Sequence, residues 1–313
     1  MPEILYAGCE GEYALFPNEL VQFGEDDQRR GSVQLEDGDQ IFRPLAAAPT
    51  DFWLHVRLAI PEPTATFNDV PFISIFNGST LIAAAYNAGV QNDFVTIIFQ
   101  AADTDSQTFT MVKDQFYNFD IRITGNIATF YMDEVFRFRS SSGSQPTAVQ
   151  VAFAAPDDDQ ARTKVQDFII TDGVPTVGME LVSLPPAAVA TYNDFTNDYN
   201  DINGPGYDNT TTMFTDSLND RESWIYADSD FELGDKVIYA FVMSTVAQLS
   251  IAGSVDDFRP FLRIGGTNYD GDDLGATSVA PDNYCTTFLL NPDTESPWQR
   301  SDFRGLEGGI QTV

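Results

Sequence analysis

The sequence predicts an all-β protein made of two antiparallel β-sandwich domains joined by a proline-containing linker. Three observations predict it. Apolar and polar residues alternate with period two through many short runs, turn residues interrupt those runs at frequent intervals, and no stretch shows helical periodicity with caps. Residues 115–139, QFYNFDIRITGNIATFYMDEVFRFR, show the pattern best. A two-residue loop at Gly125-Asn126, where glycine supplies the positive φ of a tight turn, sets Ile123 opposite Ala128, Ile121 opposite Phe130 and Phe119 opposite Met132. Those six side chains share an apolar face, while Asp120, Arg122, Thr124, Thr129 and Tyr131 share the other. A sheet with one apolar face needs a second sheet to cover it.

Taken in order, residues 4–7, 13–16, 32–35 and 40–43 are short strand-like pieces between acidic and glycine-bearing turns. Residues 51–61, DFWLHVRLAIP, form the cleanest strand: Phe52, Leu54, Val56, Leu58 and Ile60 line one face, and Trp53, His55, Arg57 and Ala59 the other. Strands are expected at 71–77, 80–86, 94–100 and 107–112, then in the central hairpin, then at 148–154 and 164–171. Pro185-Pro186 with small residues reads as a semi-rigid spacer, followed by an acidic, asparagine-rich loop. Short strands resume at 223–227, 236–244, 247–253, 259–265, 283–290 and 309–313, with 237–242 blurred as if covered on both faces. The expected division is a domain at 1–185, a linker and acidic loop at 186–210, and a second domain at 211–313.

The 43 % apolar content, with 25 Phe and 12 Tyr, supplies real cores. Each well-buried Phe contributes about 1.5–3 kcal/mol against the entropy of ordering the chain. The net charge of −31, from 47 acidic and 16 basic residues, repels phosphate backbones and anionic lipid, so no nucleic-acid partner is expected. Cys9 and Cys285 fall in different expected domains and have no Cys-x-x-Cys spacing; both read as small buried hydrophobes. Residues 1–16 carry no basic leader before an apolar run, so no secretory signal is expected. No run of about 18 apolar residues occurs, and no membrane insertion is expected.

Two resemblances follow from particular motifs. The FWLHVRL strand, the ISIFNGSTLIAAAY pair and the FYNFDIRITGNIATFYMDEVFRF meander make residues 1–182 resemble a laminin-G or concanavalin-A-like jelly-roll lectin domain. The closing VQDFIITDGVPTVGMELVSLPP resembles the strand that ends such domains in bacteriophage virion proteins. RPFLRIGGTNYDG, with NYCTTFLLNPDTESPWQRSDFRGLEGGIQTV, makes residues 190–313 resemble the C-terminal β-domain of phage structural and tail proteins. Its elements are the turn Gly265-Gly266-Thr267-Asn268-Tyr269-Asp270-Gly271, the Asn291-Pro292-Asp293-Thr294 turn before Trp298, and a glycine-rich last strand. These read as structure-shaping residues, with Trp298 plugging a core. The resemblances imply jelly-roll-like domains in a bacteriophage virion protein on the particle exterior. Its implied partners are other virion proteins, further copies of itself in a homo-oligomer, and cell-surface polysaccharide.

The candidate glycan site is Trp53, His55 and Arg57 on one strand face, with Tyr131 from the hairpin: an aromatic platform flanked by hydrogen-bonding groups. The same face also reads as ordinary structure, with His55 covered by a loop. His55 is the sole histidine, which excludes a His-pair metal site, and no Gly-x-Ser-x-Gly elbow accompanies it. The Glu-x-Asp-x-x-Glu strand motif of concanavalin-like glycosidases is absent, as is a phosphate-cradling loop, so a non-enzymatic role is expected. No cofactor is expected beyond a Ca²⁺ ion, for which Asp157, Asp158 and Asp159 are the candidate ligands; residues 198–203 and 270–273 are also oxygen-rich. Residues 197–204 partly mimic a calcium loop, but Tyr199 and Thr210 stand where its first and last ligands belong. The alternatives are a stand-alone carbohydrate-binding module or glycan-degrading enzyme of the same fold, and a purely architectural cement.

Overall fold

The computed structural model describes residues 3–8, 20–22, 32–36, 40–45, 49–62, 71–91, 93–102, 106–143, 145–155, 162–182, 184, 186–197, 212–227, 237–248, 257–275 and 282–313. Contacts divide the chain into two units, Met1–Leu181 and Val182–Val313. Strands joined in antiparallel pairs make up both, and no α-helix occurs among the described residues.

The first unit runs β1 (Glu3–Gly8), β2 (Leu20–Gln22), β3 (Ser32–Glu36), β4 (Gln40–Pro44), β5 (Asp51–Glu62), β6 (Pro71–Asn77) and β7 (Thr80–Gln91). It continues with β8 (Phe94–Ala101), β9 (Ser106–Val112), β10 (Tyr117–Thr124), β11 (Ile127–Met132), β12 (Val135–Ser141), β13 (Val149–Ala154) and β14 (Arg162–Asp172). One sheet has the order β12-β11-β10-β5-β14-β3-β2, with β1 also on β14; the other is β4-β13-β6-β7-β8-β9. The alternation of apolar residues dictates how they pack. Phe52, Leu54, Val56 and Leu58 of β5 and the six hairpin side chains Phe119, Ile121, Ile123, Ala128, Phe130 and Met132 are all buried on the inner face. Rings from the opposite sheet meet them: Phe99 stacks on Phe130 at 4.9 Å, Phe72 meets Phe119 edge-on at 5.8 Å, and Phe153 meets Phe168 at 4.8 Å. Offset and edge-on geometries are those that ring quadrupoles favour. The predicted hairpin register is the observed one, turning at Gly125 with φ 58°. The expected strand at 13–16 lies outside the described residues, as does Cys9.

The second unit runs β15 (Pro186–Asn193), β16 (Arg221–Tyr226), β17 (Phe241–Ala247), β18 (Asp257–Ile264), β19 (Thr267–Asp270), β20 (Leu274–Gly275), β21 (Asp282–Phe288), a 3₁₀ turn at Arg300–Phe303, and β22 (Glu307–Thr312). Its main sheet is β15-β16-β22-β18-β19, with β20 on β18; β17 and β21 form a separate pair. Trp224, Tyr226 and Leu262 from the main sheet share a core with Phe241 and Met243 of the pair and with Trp298, Phe303 and Leu306.

Three expectations are corrected here. Pro186 does not open a spacer: residues 186–193 form the edge strand β15, paired with β16, a place where a missing proline N–H costs no ladder bond. The stretch 237–242 is not a doubly covered strand, because Val237 is 85 % exposed and the strand begins at Phe241. Cys285 is half-buried on β21, opposite Ser244, rather than fully buried.

Candidate functional site

In the first unit's larger sheet, β5 pairs with β10, β10 with β11, and β11 with β12. The registers place the outward residues in cross-strand rows. One row is Trp53, Arg122, Thr129 and Arg139; the next is His55, Asp120, Tyr131 and Phe136. Directly opposed side chains on one face lie within contact reach, so each row is a set of neighbours.

The first row and the outer end of the second form an aromatic platform with guanidinium groups. Trp53 and Tyr131 stack, with centroids 5.9 Å apart and planes at 25°, and Phe136 meets Tyr131 edge-on at 6.1 Å. The Arg122 guanidinium lies 5.2 Å from the Trp53 ring centre. Asp51 fixes it there, accepting from Nε at 2.7 Å and from Nη2 at 2.9 Å. That hydrogen bond pushes the Arg122 pKa up, against the opposing effect of its partial burial. Phe136 is 55 % exposed, whereas Trp53 is 5 % exposed and underlies the platform rather than presenting it. Arg139 is exposed and has no hydrogen bond or ion pair among the described residues.

His55 does not belong to this surface. Its ring and the Asp120 carboxylate are both fully buried, with Nδ1 and Oδ1 hydrogen-bonded at 2.8 Å. The cover is a strap that follows β14. Gly173 N–H donates to Asp51 O, the Thr171 hydroxyl donates to Val174 O, and the Thr176 hydroxyl donates to Asp120 Oδ1 at 2.7 Å. Thr176 is itself fully buried. An aspartate on one ring nitrogen of a histidine is half of a general-base arrangement, with Nε2 as the working end. Here Nε2 is buried and has no hydrogen-bond partner among the described residues, so none of them stands as a nucleophile for it to activate. Arg57 sits elsewhere, 5.0 Å over the Phe116 ring and 3.3 Å from Gln166 Oε1. Of the four residues singled out in the sequence, the structure joins Trp53 and Tyr131, buries His55, and places Arg57 with other partners.

Asp157, Asp158 and Asp159 lie outside the described residues, as does 198–203. The acidic turn at 270–273 does not present a free set of oxygens, because Asp270 and Asp273 bind Arg259 at 3.1 and 2.6 Å. Among the described residues no group of three or more His, Cys, Asp or Glu side chains is arranged to hold a metal ion.

The turn residues of the second unit sit at the following places. Gly265 and Gly266, with φ of 58° and 89°, make the two-residue loop between β18 and β19. Gly271 donates its N–H to Pro260 O, and a Cβ there would come within 2.6 Å of Thr286 Cγ2. Asn291 accepts the Asp293 N–H and bridges to Ser296, with Pro292 half-buried beside it. Tyr269 donates to Asp293 at 2.6 Å, joining the two turns. Trp298 is 2 % exposed and donates its indole N–H to Phe288 O at 2.7 Å.

On the polar face of that unit's main sheet, Tyr192 lies between two guanidiniums, Arg221 at 5.2 Å and Arg263 at 5.4 Å. Arg221 donates to Gln311 and Arg263 to Asn268, while Arg263 Nε lies 3.7 Å from a Glu307 oxygen. Glu307 also accepts from Thr191 N–H, the Thr191 hydroxyl and the Ser223 hydroxyl. This network was invisible in the sequence, since its members come from five separate strands and the residue spacing between them carries no pattern.

No protein-family model matches the sequence, and no curated protein matches it. Among solved structures, the chain is similar to the marine PL7 alginate lyase AlyA1 from Zobellia galactanivorans, with a TM-score of 0.37 and 10 % identity over 54 % of this chain and 94 % of that one. It is similar to the cellulose induced protein Cip1, with a TM-score of 0.37 and 12 % identity over 49 % and 84 %. It is also similar to the CBM2 module of the evolved Dit of Lactobacillus casei BL23 phage J-1, with a TM-score of 0.33 and 14 % identity over 54 % and 95 %. These likenesses are too distant to assign a substrate, an activity or a partner to this chain. What the fold and the site define is a two-unit antiparallel β-protein with an aromatic and arginine-bearing surface on its first unit.

Proposed function

We propose that this protein is a non-enzymatic carbohydrate-binding structural component of a bacteriophage particle, displayed on its exterior. The observation that carries the binding role is the Tyr131–Phe136 pair: an exposed ring beside a half-buried one, backed by buried Trp53 and bordered by the fixed Arg122–Asp51 pair. Apolar ring faces beside rigid hydrogen-bonding groups suit the mixed C–H and hydroxyl surface of a sugar. A shallow surface of this kind binds weakly alone, and many copies on one particle raise avidity without new contacts. A role in holding rather than in bond-making is supported by the burial of the Asp120–His55 pair beneath the strap, which keeps the sole histidine away from a substrate.

The virion role is supported by the sequence resemblance of residues 190–313 to phage structural domains, and the acidic surface suits a place away from packaged DNA. The expected assembly is a homo-oligomer with cyclic symmetry, held to other virion proteins. The test is a glycan array probed with the multivalent chain, alongside sedimentation of purified particles. Binding to a glycan set that disappears in Tyr131→Ala/Phe136→Ala, with the chain present in the particle fraction, supports the reading. A blank array refutes the binding role, and absence from particles refutes the virion role.

A further inference from the structure

Arg139 adds a charge to the platform. It faces Thr129 across the sheet, so it stands in the same outward row as Arg122, the next outward pair along from Tyr131–Phe136. Acids outnumber bases 47 to 16 in this chain, so an exposed arginine with no acid partner goes against the general trend. Three of the acids near the platform are already engaged. Asp51 is held by Arg122, Asp120 by His55 and Thr176, and Asp133 accepts the Asn118 N–H. Asp133 and Glu134 belong to the β11–β12 turn, about 13 Å along β12 from Arg139 on the rise of an extended strand. The repulsion of the −31 chain is screened beyond about 8 Å at physiological salt, which leaves the local guanidinium to act on what touches the rings.

We infer that the platform selects an anionic sugar, a uronate unit, which lies on Tyr131 and Phe136 with its carboxylate toward Arg139. This rests on the proposed binding role of the same rings. A guanidinium offers a carboxylate a planar, two-pronged set of donors that a hydroxyl group does not match. Arg122 cannot serve in the same way, because its Nε and Nη2 donors are already spent on Asp51. Phe136 and Arg139 share this face only because β12 carries a bulge, which inserts Arg137 and leaves Phe136 outward beside Tyr131 and Phe138 inward beside Phe130.

The experiment compares polygalacturonate with its fully methyl-esterified form, the same backbone without charge, on the immobilised full-length chain in 0.15 M salt. Wild type is expected to prefer the charged polymer by about tenfold, the scale of one hydrogen-bonded charge pair. Arg139→Gln is expected to erase that preference and keep binding to the ester, whereas Phe136→Ala weakens both. Equal binding of the two polymers by wild type, or an unchanged preference in Arg139→Gln, overturns the inference while leaving the platform intact. Binding of neither polymer, by a chain that also leaves the glycan array blank, overturns the platform reading with it.

Discussion

Both units place arginines and a tyrosine on the outward face of an antiparallel sheet, and they use them in opposite ways. In the second unit Arg221 and Arg263 fold onto Tyr192, and Gln311, Asn268 and Glu307 engage their terminal donors; with Arg221 Nε buried and Arg263 beside Glu307, little of the cluster is open to a partner. On the platform of the first unit Arg122 is tied to Asp51, and Arg139, Tyr131 and Phe136 face outward. Residue type therefore does not distinguish a binding face from a brace; what does is how many of the donors the protein has already satisfied. A closed network stabilises its own sheet, and an open one keeps its capacity for a partner.

The largest expected effect lies in neither network but beneath the strap. Asp120→Ala leaves the His55 ring buried without its partner and the Thr176 hydroxyl with only the longer contact to Leu54 O, and should cost about 3 kcal/mol in urea unfolding, as breaking buried pairs does. A cost under about 1 kcal/mol would show that the strap is not held through this carboxylate. Next comes Glu307→Ala in the closed network, where three hydrogen bonds lose their acceptor; a loss of about 2 kcal/mol is expected by the same measurement. If it proves as mild as a typical exposed substitution, the brace reading of that face is wrong. Smallest are Arg139→Gln and Phe136→Ala on the open face, each expected within about 0.5 kcal/mol of wild type.

Opposite ends of the pH scale separate the units as well. Partial burial acts to raise the Asp172 pKa, but the Asp51 and Thr50 N–H groups and the Thr50 hydroxyl outweigh it, and the net shift is downward. A carboxylate held below its unfolded value of 3.8 adds stability that is present above that pH and is lost as the pH falls through the folded value. Burial instead pushes the Tyr226 phenol up, so its contribution is complete below the ordinary phenol value of 10.0 and is lost as the pH rises beyond it. Asp172→Asn should therefore flatten the acid limb of the stability curve, and Tyr226→Phe the alkaline limb. Unaltered limbs in both variants would remove these groups from the account.

Local pattern made the hairpin register and the inner face of β5 legible, because a tight turn and period-two alternation leave one consistent pairing. The partnership of His55 with Asp120 was not legible, since it needs β5 beside β10, 65 positions apart, and neither strand names the other. Phe136 was missed for a different reason. Strict alternation puts it on the same face as Phe138, and the bulge at Arg137 overrides that rule. The edge strand β15 hid behind Pro186 and a run of small residues, which are spacer-like in sequence yet suit an edge.

The most direct test of the open-face account is a pair of variants on one multivalent glycan-binding measurement. Tyr131→Ala/Phe136→Ala should abolish binding while the melting temperature of the chain stays close to wild type, and Arg263→Gln, in the closed network, should lower stability and leave binding intact. Binding that survives loss of the two rings, or that vanishes with Arg263 alone in a chain still folded, would contradict it.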